Sequence, residues 1–252
     1  MNRKRHRPAL SKVGRACEKL GREIQARRGS AAQSACAPLP RTGVSAGVLP
    51  RCARQGFYLI RHWEESAPSG PDEAARLLKG KKEKLLALAE LTELGFELTR
   101  AHIPFSHAAR KRYGINGRLD AGLRLKSGKR TLEVPLAVKS MHPLAFAAVK
   151  NPQYLKKHPL YSNYYRQARA CIQAFECNSL LLLLNDCLGH WKLLRISRDE
   201  EELRDIRRCV RAINSALKGG PLPPPRHEAK ACARCAFRAR CKASSGGGHA
   251  LA

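Results

Sequence analysis

A chain of 252 residues is long enough to bury one substantial core and still carry appendages. Its 48 Lys and Arg stand against 20 Asp and Glu, and the resulting +28 points to a polyanionic partner, with nucleic acid first and a merely solubilising basic surface as the alternative. No apolar run approaches the ~18–20 residues of a membrane span, and ten cysteines without a secretory signal peptide argue for thiols in an intracellular, cytoplasmic compartment, not for a disulfide framework.

Residues 1–47 are rich in Ala, Ser and Arg, with Glu18 and Glu23 as their acids, and read as a basic disordered arm. Their Arg-rich, acid-poor texture also has transit-peptide character, so organelle targeting stays open. At Val48 the texture changes to VLPRCARQGFYLIRH, a compact segment expected to pack on the domain. Alone, Cys52 in this segment reads as a small buried hydrophobe. Pro71-Asp72-Glu73 opens a helix, carried by Leu77, Leu78, Leu85, Leu88, Leu91 and Leu94 to a stop at Gly95. Residues 96–105 read as a strand that Pro104 weakens or places at an edge.

The run from Gly117 to Ser140 reads as strand, tight turn, strand, and the chain is organised around it. Leu119, Ala121, Leu123 and Leu125 alternate with Asp120, Gly122, Arg124 and Lys126, and Ser127-Gly128 supplies the turn. A short helix is expected over 143–149, a loop over NPQYLKKHPLYSN and a helix over 164–177. SLLLLLN then has the length and texture of a fully buried strand, and a further strand covers 190–196. Ser197-Arg198-Asp199-Glu200 reads as a capping box opening a last helix, which Gly219-Gly220-Pro221 stops. The class is α/β. The boundaries expected are an arm over 1–47, a domain over 48–220, a Cys-rich tail over 221–242 behind the stiff PLPPP linker, and a disordered end over 243–252.

The tail spacing Cys232-x2-Cys235-x5-Cys241 is the most specific local signal. Thiolates this close converge on zinc or iron–sulfur, with His227 or a distant cysteine as fourth ligand. Arg234, Arg238, Arg240 and Lys242 are expected to lower the thiol pKa values. In the hairpin, Asp120 and Lys139 fall on neighbouring strands, where a carboxylate and an ammonium could set a divalent metal and a water against a phosphodiester.

CARQGFYL around Cys52, the GRLD…VK hairpin, a Gln on the following helix and the terminal C-x2-C-x5-C occur in one order. Together they resemble the PD-(D/E)XK nuclease superfamily, and within it the CRISPR-associated iron–sulfur exonucleases and related helicase–nuclease enzymes. The resemblance spans roughly residues 48–241. It implies a restriction-endonuclease-like mixed central sheet flanked by helices. A [4Fe–4S] cluster, with Zn²⁺ as the alternative, would lie on Cys52, Cys232, Cys235 and Cys241 and staple the two ends of the domain. It also implies Mg²⁺ or Mn²⁺ on Asp120, with Lys139 and Gln167 as catalytic partners. The implied substrate is DNA, as single strands or ends, with protein partners in a repair, recombination or adaptation complex.

Three positions depart from the family pattern. Ala137 stands where a metal-binding Glu is expected, and Glu133 lies four residues too early, roughly 13 Å along the strand. Lys81 falls near the family's His, with Glu83 as a weak substitute, and Cys171 replaces the Tyr of the Gln-x3-Tyr helix. Two readings follow: a metal-dependent DNA exonuclease-like enzyme impaired at Ala137, or a non-catalytic nucleic-acid-binding or scaffolding member of the same fold. A zinc-ribbon regulator with an unrelated α/β domain is a third.

Overall fold

The computed structural model describes residues 12–37, 39–49, 52–66, 70–127, 130–225, 232–233 and 235–246. The chain divides into two compact units, residues 1–37 with 67–79 and residues 38–66 with 80–252.

The first unit contains helix α1 (Lys12–Ala35) and the opening turns of helix α3 (Pro71–Glu93). The basic arm expected to be disordered thus holds a 24-residue helix, rich in the strong helix formers Ala, Arg, Gln and Glu. Glu18–Arg22 and Glu23–Arg27 pairs brace its exposed surface at i,i+4 spacing. The Cys36 thiol donates to the Ala74 carbonyl at 3.5 Å.

The second unit is built on a five-stranded mixed sheet in the order β1 (Glu97–Pro104), β2 (Arg118–Ser127), β3 (Arg130–Ser140), β4 (Ser179–Asn185), β5 (Trp191–Ser197). Neighbours are antiparallel except β3 and β4, which run parallel. A parallel pair needs a long crossover. That crossover carries α5 (Pro143–Ala148), α6 (Pro152–Lys157) and α7 (Ser162–Ala174). Among the described residues this unit also carries helices α2 (Ala53–Arg61), α4 (His107–Tyr113), α8 (Glu200–Leu217) and α9 (Arg238–Gly246).

Helices cover both faces of the sheet. On one face Ala87, Leu88 and Leu91 of α3 meet Ala121, Leu123, Leu136, Val138 and Leu183. On the other, the buried residues of α7 and α8 meet Ala137, Leu180, Leu182, Leu184 and Ile196. Alternation along β3 therefore sends Leu136 and Val138 to the α3 side and Ala137 to the α7 side. The core begins before the boundary expected at residue 48, because Val44 and Ala46 are buried in it.

Two local expectations change. The stretch NPQYLKKHPLYSN contains helix α6, started by the Asn151 side chain accepting from Tyr154 N at 3.2 Å with Pro152 just inside. Helix α8 is capped by Asp199, whose Oδ1 accepts from Glu201 N and Glu202 N, and Ser197 instead ends β5. Gly128 of the hairpin turn, His227, Arg234 and residues 247–252 of the tail expected to be disordered lie outside the described residues, whereas residues 243–246 of that tail belong to helix α9.

Candidate active site

The β2–β3 register pairs Ala121 with Leu136. One step further along an antiparallel ladder sets Asp120 across from Ala137, with Lys139 on the same face two residues on. The sheet therefore brings Asp120 and Lys139 together, as the hairpin pattern led one to expect. It also makes position 137 the place from which a second carboxylate would face Asp120.

Asp120 is buried, and both of its oxygens are engaged. Oδ2 accepts from the Val138 backbone N–H at 2.8 Å, and Oδ1 accepts from the Lys84 ammonium at 2.8 Å. Lys84 comes from α3, one turn before Ala87 and Leu88 anchor that helix on the sheet. Sequence reading placed the relevant α3 position at Lys81 or Glu83. The helix instead turns Lys84 onto the carboxylate. Lysines at 79, 81, 82 and 84 offer no local signal of which one faces inward.

Burial pulls the Lys139 ammonium below its ordinary pKa; Asp120 opposes this and Lys84 adds to it. Its charge also lies over the Tyr164 ring, 5.7 Å from the centroid. The Tyr164 hydroxyl donates to the Ser140 carbonyl at 2.8 Å, and burial raises its pKa. Cys171 is within electrostatic reach of Lys139, Asp120 and Lys84, and burial pushes its thiol up to about 12. At this site α7 thus presents Tyr164 and Cys171. The Gln167 amide lies beside Gly47, where an added Cβ would sit 3.4 Å from Nε2.

Glu133 is far from this cluster. It pairs with Arg124 across the hairpin and accepts from the Thr99 hydroxyl at 2.8 Å. The β2–β3 pairing passes through Pro135 without a shift, so no bulge carries Glu133 toward Asp120.

A divalent metal does not fit the residues present. Mg²⁺ needs several oxygen ligands at ~2.0–2.1 Å, whereas here an ammonium already holds Oδ1 of Asp120, an amide holds Oδ2, and position 137 offers a methyl group.

The second candidate centre joins α2 to the tail. Cys52 sits at the N-cap of α2. Arg54 donates to the Pro223 carbonyl at 2.7 Å and lies 4.0 Å from Cys241 Sγ, while the Tyr58 and Phe237 rings meet at 5.7 Å. Burial, and then the nearby thiols of Cys52, Cys232 and Cys241, raise the pKa of Cys235. This reverses the expectation that the basic tail residues would lower it; of these, Arg240 pairs with Glu65. Four thiols form a suitable donor set for a soft metal centre. Among the described residues, however, no group of three or more His, Cys, Asp or Glu closes to metal-binding spacing.

No helix among the described residues is long and apolar enough to cross a membrane. No family model and no curated protein matches the chain. Solved structures do resemble it. SSO0001 aligns with a TM-score of 0.51 at 15% identity, covering 89% of this chain and 97% of its own. An alkaline exonuclease, LHK-Exo from Laribacter hongkongensis, aligns with a TM-score of 0.48 at 15% identity, over 75% of this chain and 93% of its own. Its complex with dAMP aligns with a TM-score of 0.42 at 15% identity, over 77% and 91%. The likeness to SSO0001 is one of fold.

Proposed function

We propose that this chain is a nucleic-acid-binding protein on a PD-(D/E)XK nuclease-like scaffold, in which the Lys84 ammonium takes the position of the divalent cation. The observation that carries this reading is the 2.8 Å contact between Lys84 Nζ and Asp120 Oδ1, with Ala137 on the facing strand. An ammonium on the carboxylate neutralises it without supplying a Lewis acid or lowering the pKa of a bound water, which are the contributions a metal makes to hydrolysis. When both are protonated, Lys84 and Lys139 together outweigh Asp120 by one positive charge. A phosphate can be held there without being cut. The +28 charge of the chain supplies the wider attraction.

The metal-dependent exonuclease is the second reading, favoured by the placement of Asp120 and Lys139 on adjacent strands. It requires the metal to displace Lys84 and draw its other ligands from water or main-chain oxygen. In either reading Cys52, Cys232, Cys235 and Cys241 would hold a [4Fe–4S] cluster, with Zn²⁺ as the alternative. Such a centre would relieve the mutual repulsion of thiolates gathered around Cys235. The order of these four cysteines is also what favours the CRISPR-associated subgroup.

End-labelled DNA separates the two. Binding by the wild-type protein is expected to be unchanged by EDTA, with no cleavage in Mn²⁺. Cleavage in Mn²⁺ that Asp120→Asn abolishes would overturn the proposal in favour of the enzyme.

A further inference from the structure

Four rings run in sequence away from Lys139. The Tyr164 and Tyr161 centroids are 5.4 Å apart, Tyr161 and His158 4.8 Å, and His158 and Tyr154 5.4 Å. Lys139 lies over the first ring. At the far end a groove of about 450 Å³ opens between Tyr154, His158, Lys150, Lys157 and Gln153. We infer that this row is a stacking track for single-stranded nucleic acid, leading from the Asp120–Lys139 cluster to this groove. The inference rests on the nucleic-acid-binding reading given above and names the surface that takes the strand.

A row of aromatics is most often core, and Tyr154, Tyr161 and Tyr164 do pack partly against the core. Three features set this row apart. Each of the four residues keeps an intermediate exposure, so the row is partly open to solvent. Main-chain contacts fix three of them: Tyr161 Oη accepts from His142 N at 3.0 Å, Tyr164 donates to Ser140 O, and His158 Nδ1 accepts from Leu160 N and Tyr161 N at 3.1 and 3.2 Å. Rings held in this way lose little conformational entropy when a base docks on them. The third feature is charge, with exposed Lys150 and Lys157 at one end and Lys139 at the other.

Base faces are free in a single strand and covered in a duplex. An aromatic platform between two cationic ends therefore selects unpaired strands, through stacking that tolerates any sequence. The rings tilt against one another by 37–45°, so bases would rest on them along a curved path.

The test uses the full-length protein, a fluorescein-labelled oligothymidine and a hairpin duplex with the same number of phosphates. Tyr161→Leu keeps apolar bulk but removes the ring, and is expected to weaken oligothymidine binding about tenfold while leaving duplex binding unchanged. Tyr154→Leu is expected to behave alike. Tyr161→Phe retains the ring but loses the hydroxyl that anchors it, and is expected to lose less affinity than Tyr161→Leu, which separates stacking from anchoring. A 2-aminopurine placed in the strand should be quenched on binding and less quenched with Tyr161→Leu. Equal loss for both nucleic acids, or no loss for either, would overturn the track and leave the nucleic-acid-binding reading standing. Absence of binding by the wild-type protein to both would overturn that reading as well.

Discussion

A monovalent ammonium on a buried carboxylate makes the neighbourhood of Asp120 a closed ion pair, and breaking either half has a definite cost. Lys84→Met leaves Asp120 with only the Val138 amide, and the unsatisfied buried acceptor is expected to cost about 1–3 kcal/mol. Asp120→Asn should cost a similar amount. The double variant should cost less than the sum, because each single change strands the other's partner. Thermal unfolding of the four proteins checks this, and strict additivity would remove the pair from the account. The same logic governs conversion to a metal site. Ala137→Glu alone adds a carboxylate that Lys84 and Lys139 can neutralise, so Mn²⁺ affinity should stay low. Adding Lys84→Ala should create a Mn²⁺ site, read as loss of the free-ion EPR signal whether or not cleavage follows. Cys171, with its thiol pushed up to about 12 by burial, is expected to resist iodoacetamide at neutral pH, when exposed Cys17 reacts.

At the scale of elements, the tail is held to α2 by apolar packing and to the turn that follows it by charge. Tyr58 meets Phe237, which is buried, and Arg240 pairs with Glu65. A metal on the four cysteines would add a link across nearly the whole second unit, closing a loop long enough for the restriction of the unfolded chain to matter. Anaerobic purification should therefore give a brown protein with broad visible absorption. Cys235→Ser should lose that colour and sharply increase proteolysis near Pro223–Pro225. A colourless wild-type protein containing one equivalent of zinc would assign the alternative metal, and a metal-free one would remove the centre. The strands were legible because period-2 alternation in β2 and the unbroken leucines of β4 leave little choice of structure. Asp120 and Lys139 came with them. Helix α6 was hidden in a polar stretch whose Asn-Pro start is a helix signal as well as a turn signal. Lys84 was hidden more deeply. Which lysine of a lysine-rich helix turns inward depends on how the helix is rotated on the sheet, and that is set by Ala87, Leu88 and Leu91, not by any motif. The aromatic row was missed for a related reason: its four residues, spread from 154 to 164, meet only because α6 and α7 pack together.

For the whole molecule, the excess of positive charge sets a long-range field and the site sets what is done with it. Charge alone predicts attraction to any polyanion, with affinity falling as salt rises because counterions released into a more concentrated bath gain less entropy. If the track contributes specifically, a part of the affinity must survive screening, because stacking is not a Coulomb interaction. The plot of log affinity against log salt for oligothymidine should then be linear, with a slope of about −0.7 for each phosphate neutralised. Tyr161→Leu should move the line down without changing its slope. Replacing Lys150 and Lys157 together by Ala should flatten the slope by about 1–1.5, since two cations are removed. Heparin, which carries charge but no bases, should compete poorly at high salt against wild type and more effectively against Tyr161→Leu. A wild-type line that coincides with the Tyr161→Leu line at every salt concentration would mean that charge alone accounts for binding. In that case the scaffold's basic surface, and not the row beside Asp120, would be what holds the strand.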